Sequence, residues 1–385
     1  MKKLMLAGLL VLGFGTLGYA APLEPGQVAA DAKWLVHIDV DGWRNTPLAE
    51  KIREQKLDNR RSRRALNFVR KHFGLDLQKD LHGMTMYGKS YQPHTGVLLI
   101  SADFNRDRIE KSMEKAPMYR KSEHGDYTLH SWVMPHGKKA QKARQKDADK
   151  AEKRKDKQDA KEDQAAAAQT TESDPDKGDQ DKGDREKKDR KRGNDKGEER
   201  THDHRAVAAL RGTNLIVLAG TEEAVKAALD VLDGKGQTLA ADSPLVGEIP
   251  PGTVMHGAAI DLAGLKEHEH AFPILQQLQL VQVNIGHHEN MAFVRERIEA
   301  EKPEVAENLQ KVSEGFKAML QLMSSGEADR PDFTKGLEIS REQNTLNIDW
   351  QLESDTIVRL AEKLMERSDE WRLRRGKQLK GKDKN

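Results

Sequence analysis

The sequence predicts an α+β fold: two repeated modules of antiparallel sheet with helices packed on one face, plus a disordered charged insertion. Segments that alternate apolar and polar residues at hairpin spacing stand beside segments with helical periodicity, without the strict strand–helix alternation of a parallel sheet. Similar phrases recur in the two halves of the chain, and a long charged run interrupts the first half. These three observations determine the predicted domain plan.

Residues 1–20 have the composition of a signal peptide. Two lysines precede an apolar run over residues 4–17, and Gly18 and Ala20 provide the small residues that signal peptidase requires. We expect cleavage before Ala21 and an exported product, periplasmic or extracellular. The alternative is an uncleaved anchor, because the apolar run and its flanks are just long enough to span a bilayer. After cleavage we expect no transmembrane span.

The composition limits how many hydrophobic cores the chain can form and which classes of partner it can bind. Hydrophobic residues make up 36% and charged residues 33% of the chain, which is too polar for several full cores. Cysteine is absent, which excludes disulfides and thiolate metal sites. The formal charge is +2, and signal cleavage removes two lysines, so the mature chain has no net field that steers a polyanion. We therefore expect no nucleic-acid partner and no bound cofactor.

Residues 137–204 form the charged insertion. Lysine, arginine, aspartate and glutamate dominate it, and alanine is the only apolar side chain over residues 138–200. Such a segment cannot bury enough surface to offset the entropy lost on ordering, so we expect it to be disordered. It is a hydrated spacer or, alternatively, an arm that contacts an envelope polymer. Strands predicted over residues 127–134 and 205–211 flank it, which places it inside a folded module.

An internal repeat is indicated by two pairs of matching segments. Residues 37–43 and 259–265 each end a strand and enter a turn, and Asp39 is matched by Asp261. A strand followed by a helix with a good N-cap recurs at residues 214–232 and 344–366. The repeat predicts two modules of similar design.

The repeat and the local periodicity together give the predicted boundaries and elements. The first module spans residues 21–250, the second spans residues 251–371, and a disordered basic tail covers residues 372–385. Predicted helices cover residues 61–72, 106–115, 222–232, 271–278 and 303–323. Predicted strands include residues 84–87, 96–102, 127–134, 205–211, 215–219 and 280–285.

The N-terminal phrase DAKWLVHIDVDGWRNTPL, within residues 22–50, resembles uncharacterised exported proteins of Planctomycetes and related bacteria. The resemblance covers the signal and the first strand. Those proteins have no assigned activity. The resemblance therefore implies export and no catalytic residues.

His37, Asp39 and Asp41 are the candidate metal ligands. Period-two alternation predicts all three on one wet strand face, with Trp34 and its apolar neighbours on the other. An imidazole and two carboxylates suit a hard-to-borderline metal ion, so the trio predicts a metal-assisted hydrolase. The alternative is that Asp39 caps a turn, since the equivalent Asp261 lacks the accompanying histidine.

Residues 83–90 match the P-loop pattern. A P-loop follows a strand and opens a helix, whereas residues 84–87 alternate like a strand themselves. The sequence therefore predicts a hairpin here and no nucleotide site.

A basic cluster surrounds one predicted helix, whose apolar positions Leu66, Val69 and Phe73 recur at three- and four-residue spacing. The cluster is either a polyanion contact, to phosphate-bearing polymer or anionic lipid, or a solvated helix face. Its members are Arg60, Arg61, Arg63, Arg64, Arg70 and Lys71.

Taken together, the sequence predicts an exported, non-enzymatic binding or interaction protein of the cell envelope, with an envelope protein or polymer as partner. Two alternatives remain open. One is the metal-assisted hydrolase that uses His37, Asp39 and Asp41. The other is a small-ligand or lipid carrier in which helices close over apolar sheet faces.

Overall fold

The computed structural model describes residues 22–54, 60–92, 95–134, 204–267, 273–324, 332 and 334–359. The predicted signal peptide, nearly all of the predicted insertion and the predicted basic tail lie outside these residues. The chain divides into two compact units, one comprising Met1–Trp132 and Ala206–Asn385 and the other Val133–Arg205. Only four residues of the second unit are described: Val133, Met134, His204 and Arg205.

The described residues contain a single sheet of twelve strands. The strands are β1 (Trp34–Asp39), β2 (Leu81–Gly88), β3 (Val97–Ala102), β4 (Arg120–His124), β5 (Tyr127–Met134), β6 (His204–Arg211), β7 (Leu215–Ala219), β8 (Thr253–Ile260), β9 (Leu278–His288), β10 (Met291–Ala300), β11 (Leu337–Glu342) and β12 (Thr345–Glu353).

Helices connect the strands. They are α1 (Val40–Arg44), α2 (Pro47–Glu54), α3 (Arg60–Phe73), α4 (Arg106–Met113), α5 (Glu222–Leu232) and α6 (Pro303–Ser324), with short 3₁₀ turns at Pro25–Gln27, Leu262–Glu267 and Pro273–Gln277. The predicted helices at residues 61–72, 106–115, 222–232 and 303–323 are thereby confirmed. The segment with the P-loop pattern lies in strand β2, as its alternation predicts.

The strand order is β11-β12-β10-β9-β8-β1-β2-β3-β7-β6-β5-β4. Strand β1 lies between β2 and β8 and pairs antiparallel with both, with His37 opposite Thr85 on one side and His256 on the other. The predicted modules are thus two parts of one continuous sheet. The order β1-β2-β3-β7-β6 in the first part is matched by β8-β9-β10-β12-β11 in the second. The internal repeat itself stays a prediction.

One face of the sheet, which we call the His37 face, carries the main core. Leu35, Tyr87, Leu99 and Val217 on neighbouring strands are at most 2% exposed. Helix α5 covers them with side chains at three- and four-residue spacing, and the N-terminal segment around Val28 completes the cluster. The sequence forms α5 because an apolar stripe follows the N-cap Thr221. The side-chain oxygen of Thr221 accepts a hydrogen bond from the Ala224 amide.

The opposite face, which we call the Met86 face, is covered at its two ends. Ile109 and Met113 of α4 pack on Leu210 and Ile216 at one end. The first turns of α6 pack near the C-terminal end of β10 at the other end, together with the 3₁₀ turns that follow β8. Helices therefore lie on both faces of the sheet, and not on one face as expected for each module.

The predicted helix over residues 271–278 is wrong. Its described part is a 3₁₀ turn, Pro273–Gln277, after which β9 begins at Leu278. Strand β9 pairs along its length with both β8 and β10. This pairing, which joins distant parts of the chain, outweighs the local helical preference of the segment.

Candidate functional site

Strand β1 presents His37 and Asp39 to the buried face of the sheet, which corrects the expectation of a wet polar face. They are 7% and 5% exposed, whereas Trp34, Val36 and Ile38 on the Met86 face are only partly buried. His37 Nδ1 lies 2.8 Å from Thr85 Oγ1. Asp39 Oδ1 accepts from the Gly42 amide at 2.7 Å. Hydrogen bonds of this kind allow polar groups to be buried.

Asp39 is therefore a helix cap, as the alternative interpretation of this residue predicts. It is the N-cap of α1 and satisfies an amide that has no partner inside the helix. The matching residue Asp261 has a positive φ of 55° and forms an ion pair with Lys33. The two aspartates share a place after a strand, but their partners differ.

Asp41 does not lie on β1, because α1 begins at Val40. Asp41 Oδ1 forms an ion pair with the Arg44 guanidinium. Asp41 Oδ2 lies 2.8 Å from His82 Nδ1. The other ring nitrogen of His82 lies 3.2 Å from an oxygen of Asp103. Asp41, His82 and Asp103 form a carboxylate–imidazole–carboxylate cluster, which we call the His82 cluster. Sequence reasoning missed it because its members belong to three separate segments.

The charge of His82 is stabilised by its neighbours. Burial lowers the pKa of His82, but the hydrogen bonds to Asp41 and Asp103 outweigh it, so the net direction is upward. The three predicted ligands thus have separate partners. Within the described ranges, no group of three or more histidine, aspartate or glutamate side chains is placed to hold a metal ion.

A small cleft opens on the His37 face near the ends of β2, β3 and β7. Its volume is ≈ 170 Å³, and carboxylate, imidazole, hydroxyl and guanidinium groups contribute to its lining through Glu24, His37, Thr85 and Arg211. Pockets for organic ligands are typically about 300 to 1,000 Å³. The cleft therefore has room for water or a small ion but not for a larger organic substrate.

A second unusual surface is the middle of the Met86 face. Its side chains belong to seven adjacent strands from β3 to β12, and nearly all are apolar. None reaches full burial: Met86 is 41% and Ile285 is 36% exposed. The surface is formed by Val36, Ile38, Met84, Met86, Leu98, Ile100, Met255, Val283, Ile285, Val294, Ile348 and Trp350. We call this set the apolar surface.

Side chains on the other side of the same strands are much less exposed. Leu35, Tyr87 and Ala258 alternate with residues of the apolar surface and are 0%, 1% and 5% exposed. Both faces of the central strands are therefore largely apolar, but the side chains on the Met86 face are less buried than those on the His37 face. An apolar surface with incomplete cover is a candidate for contact with an apolar partner.

One ionisable side chain interrupts the apolar surface. Glu296 lies on β10, directly opposite Val283 of β9 and Ile348 of β12. Burial raises the pKa of its carboxyl group. Trp350 lies on β12, two residues from Ile348 on the same face, and its indole Nε1 is buried without a hydrogen-bond partner.

The structure describes only some side chains of the basic cluster. Arg60, Arg61, Arg63 and Arg64 belong to the first turns of α3, and their side chains lie outside the described set. Arg70 and Lys71 are exposed in the last turns. Arg70 donates to Asn67 Oδ1 at 3.0 Å, and the carbonyl groups of Arg70 and Lys71 accept from Arg108 of α4. A polyanion contact here stays a prediction.

None of the helices in the described ranges combines the length and the apolar content needed to cross a bilayer. No family model and no curated protein matches the chain. Among solved structures it is similar to crystal forms III, I and IV of TP0453, with sequence identities of 8%, 8% and 9% and TM-scores of 0.42, 0.38 and 0.40. The alignments cover 89% of this chain and 99%, 98% and 97% of those chains. A likeness at this level carries no argument about function.

Proposed function

We propose that this protein is an exported, non-enzymatic binding protein of the cell envelope, and that its apolar surface takes up an apolar ligand such as a lipid acyl chain. Export is inferred from the signal-peptide pattern of residues 1–20. The proposal combines the predicted binding role with the predicted alternative of a small-ligand or lipid carrier.

The observation that carries the proposal is the incomplete cover of the apolar surface. Exposed apolar area costs about 25 cal/mol per Å² relative to burial, so a ligand that covers it gains free energy from that term alone. Strands apolar on both faces are typical of sheets covered on both sides. A hydrophobic ligand would complete that cover.

The kinds of side chain on the surface also favour a flexible apolar ligand. Met84 and Met86 lie on β2 and Met255 lies on β8, the two strands that flank β1. Methionine is unbranched and polarisable, and it adapts to ligands of varied shape. Such a surface suits an alkyl chain better than a rigid, polar substrate.

The hydrolase alternative has less support. His37 and Asp39 are buried and bonded to Thr85 and Gly42, and Asp41 belongs to the His82 cluster. The trio would have to break these bonds to bind one ion together.

The proposal is tested by analysing what the purified protein carries and what it binds. The mature protein, purified from its native host, is extracted with organic solvent, and the extract is analysed by mass spectrometry. Binding of 1-anilinonaphthalene-8-sulfonate and its displacement by decyl-chain ligands are then measured for the wild type and two variants. We expect Met86→Gln to weaken binding about tenfold, because it replaces about 1.5 kcal/mol of apolar contact with a polar group.

Met118→Gln is the matched control. Met118 is 58% exposed and lies in the loop before β4, outside the apolar surface, so binding should not change. If the wild type carries no lipid and binds no apolar probe, the proposal is wrong. Equal loss of binding in both variants would also contradict it, because the effect would not come from the apolar surface.

A further inference from the structure

A helix begins on the Met86 face directly after β12. The chain becomes helical at Ser354, which is fully buried. Ser354 Oγ lies 2.6 Å from Nε2 of His287, and His287 belongs to the Met86 face because it alternates with Ile285 on β9. The next residue, Asp355, forms an ion pair with Lys51 of α2. These contacts fix the start of the helix at one margin of the apolar surface.

The exposure of the first turns shows which side of this helix faces the protein. Val358, one turn after Ser354, is 6% exposed, and Ile357 is partly buried. Asp355 and Arg359 are exposed. The helix therefore begins with one buried, mainly apolar side and one charged side that faces solvent.

The sequence continues the same pattern past the described residues. Three, four, seven and eight residues after Ile357 the side chains are again apolar, which is typical of an amphipathic helix: Leu360, Ala361, Leu364 and Met365. Charged residues fill the positions between and after them: Glu362, Lys363, Glu366 and Arg367. The spacing predicts a helix that continues to Trp371, with its apolar side in line with the buried side of the first turns.

The length of this predicted helix matches the width of the apolar surface. At about 1.5 Å per residue, a helix over residues 354–371 measures about 27 Å. The apolar surface crosses seven strands from β12 to β3, and strands about 4.8 Å apart make this width about 29 Å. One continuous row of paired residues crosses all seven strands: Trp350, Val294, Ile285, Met255, Ile38, Met84 and Ile100.

Helix α6 provides a second apolar side to the same surface. Gln310 accepts from Arg341 of the edge strand β11, and Lys317 donates to the Leu337 carbonyl of that strand. Leu309 packs instead with the apolar cluster beside β9 and β10. Three side chains of α6 lie roughly opposite the residues that bond β11, and each is about half exposed or more: Val312, Phe316 and Met319. They therefore flank the middle of the Met86 face.

We propose that residues 360–371 continue the helix that begins at Ser354 and dock their apolar side on the apolar surface beside α6, where they compete with an apolar ligand. The anchored first turns, the apolar spacing and the matching length identify this segment as the occupant. The competition rests on the proposed function, whereas the docking requires no ligand. A ligand that binds only the uncovered form has its apparent affinity reduced by the fraction of molecules that are uncovered.

The docking is tested by thiol labelling, because the chain contains no cysteine and a single introduced thiol reports on one site. Ile285→Cys places the thiol in the apolar surface, and Met118→Cys places it in the loop before β4 as the matched control. Each variant is reacted with a maleimide, both in the full chain and in a chain that ends at residue 359. We expect shortening to speed the labelling of Ile285→Cys by about tenfold, which corresponds to a surface covered about nine-tenths of the time, and to leave Met118→Cys unchanged.

Two substitutions test the same docking at full chain length. Leu364→Asp places a carboxylate on the predicted apolar side, and Lys363→Asp places it on the charged side. In the Ile285→Cys background, only Leu364→Asp should speed labelling as shortening does. Thermal melts establish that each variant is folded, and Leu364→Asp decides the result if the shortened chain is not.

The affinity for 1-anilinonaphthalene-8-sulfonate separates the two proposals. We expect the shortened chain to bind this probe about tenfold more tightly than the full chain. If Ile285→Cys is labelled at one rate in all forms, or if Lys363→Asp acts as strongly as Leu364→Asp, the docking is overturned. If labelling responds as expected but the probe binds with equal affinity with and without the segment, the competition is overturned. If labelling responds and no form binds the probe, the docking stands and the proposed function fails.

Discussion

Asp39 offers a direct test of whether the predicted metal trio is structural. Replacing Asp39 with alanine removes the side-chain oxygen that accepts from the Gly42 amide at 2.7 Å. Loss of an N-cap costs about 0.5–2 kcal/mol. Asp39 is 5% exposed, so water replaces the lost bond poorly, and we expect a cost in the upper half of that range, about 1–2 kcal/mol.

That cost translates into a measurable shift. For a domain of about 150–250 residues, 1 kcal/mol lowers Tm by about 2–4 °C, so a cost of about 1–2 kcal/mol should lower the Tm of Asp39→Ala by roughly 2–8 °C in a calorimetric or circular-dichroism melt. Asp39→Asn keeps a carbonyl oxygen at the cap and should retain most of the stability. Thr221→Ala, which removes the exposed cap of α5, should cost less.

Two results would refute this reasoning. If Asp39→Ala melts like the wild type, the cap makes no contribution. If Asp39→Asn is as damaging as Asp39→Ala, the negative charge matters and the hydrogen bond does not. A charge requirement together with stoichiometric metal in the wild type only would restore the hydrolase interpretation.

Two further predictions concern the His82 cluster and the insertion. Because the pKa of His82 is raised in the folded protein, the cluster contributes its full stability below about pH 6.5 and loses it as the pH rises through the raised value. His82→Gln should therefore shrink the Tm difference between about pH 5.5 and about pH 8.5, and an unchanged difference would contradict the ionic role. Replacing residues 138–200 with a short Gly–Ser linker should keep the melt cooperative, because β5 and β6 are neighbours in the sheet and a tenfold change in loop length costs only about 2 kcal/mol. A deletion that unfolds the protein would show that the segment is part of the fold.

The elements of the fold were predictable where local patterns are strong. Residues 303–323 have long helical periodicity, residues 222–232 begin with a capping threonine, and both form helices. Strand β2 was predictable despite its P-loop pattern. Residues 84–87 alternate in the way that is typical of a strand, and a P-loop would require a helix to begin there. Strand β4 was missed because its five residues, Arg120–His124, are polar throughout.

The orientation of β1 could not be predicted from its own residues. Trp34, Val36 and Ile38 are the more hydrophobic set, so alternation alone assigns them to the core. The structure buries Leu35, His37 and Asp39 instead, because Thr85 and the Gly42 amide satisfy the two polar groups. Those partners become neighbours only when β2 pairs with β1 and α1 forms.

The candidate site was beyond sequence reasoning for a similar reason. The residues of the apolar surface belong to seven strands that are far apart in the chain, and the sheet register places them on one face. None of these residues belongs to a recognisable motif. Their significance depends on which face of the sheet stays partly exposed, which local periodicity does not determine.

The pairing of β1 with β8 means that the middle of the sheet is completed late in synthesis. Strand β1 ends at Asp39, and its partner β8 begins only at Thr253. Until β8 arrives, β1 has one row of backbone hydrogen-bonding groups without a partner, flanked by apolar side chains on one side, which is the kind of edge that recruits other chains. Contacts so distant in sequence are slow to form. A nascent chain stopped before β8 is thus exposed to aggregation, and we expect a fragment ending at residue 250 to be more prone to aggregation than the full chain.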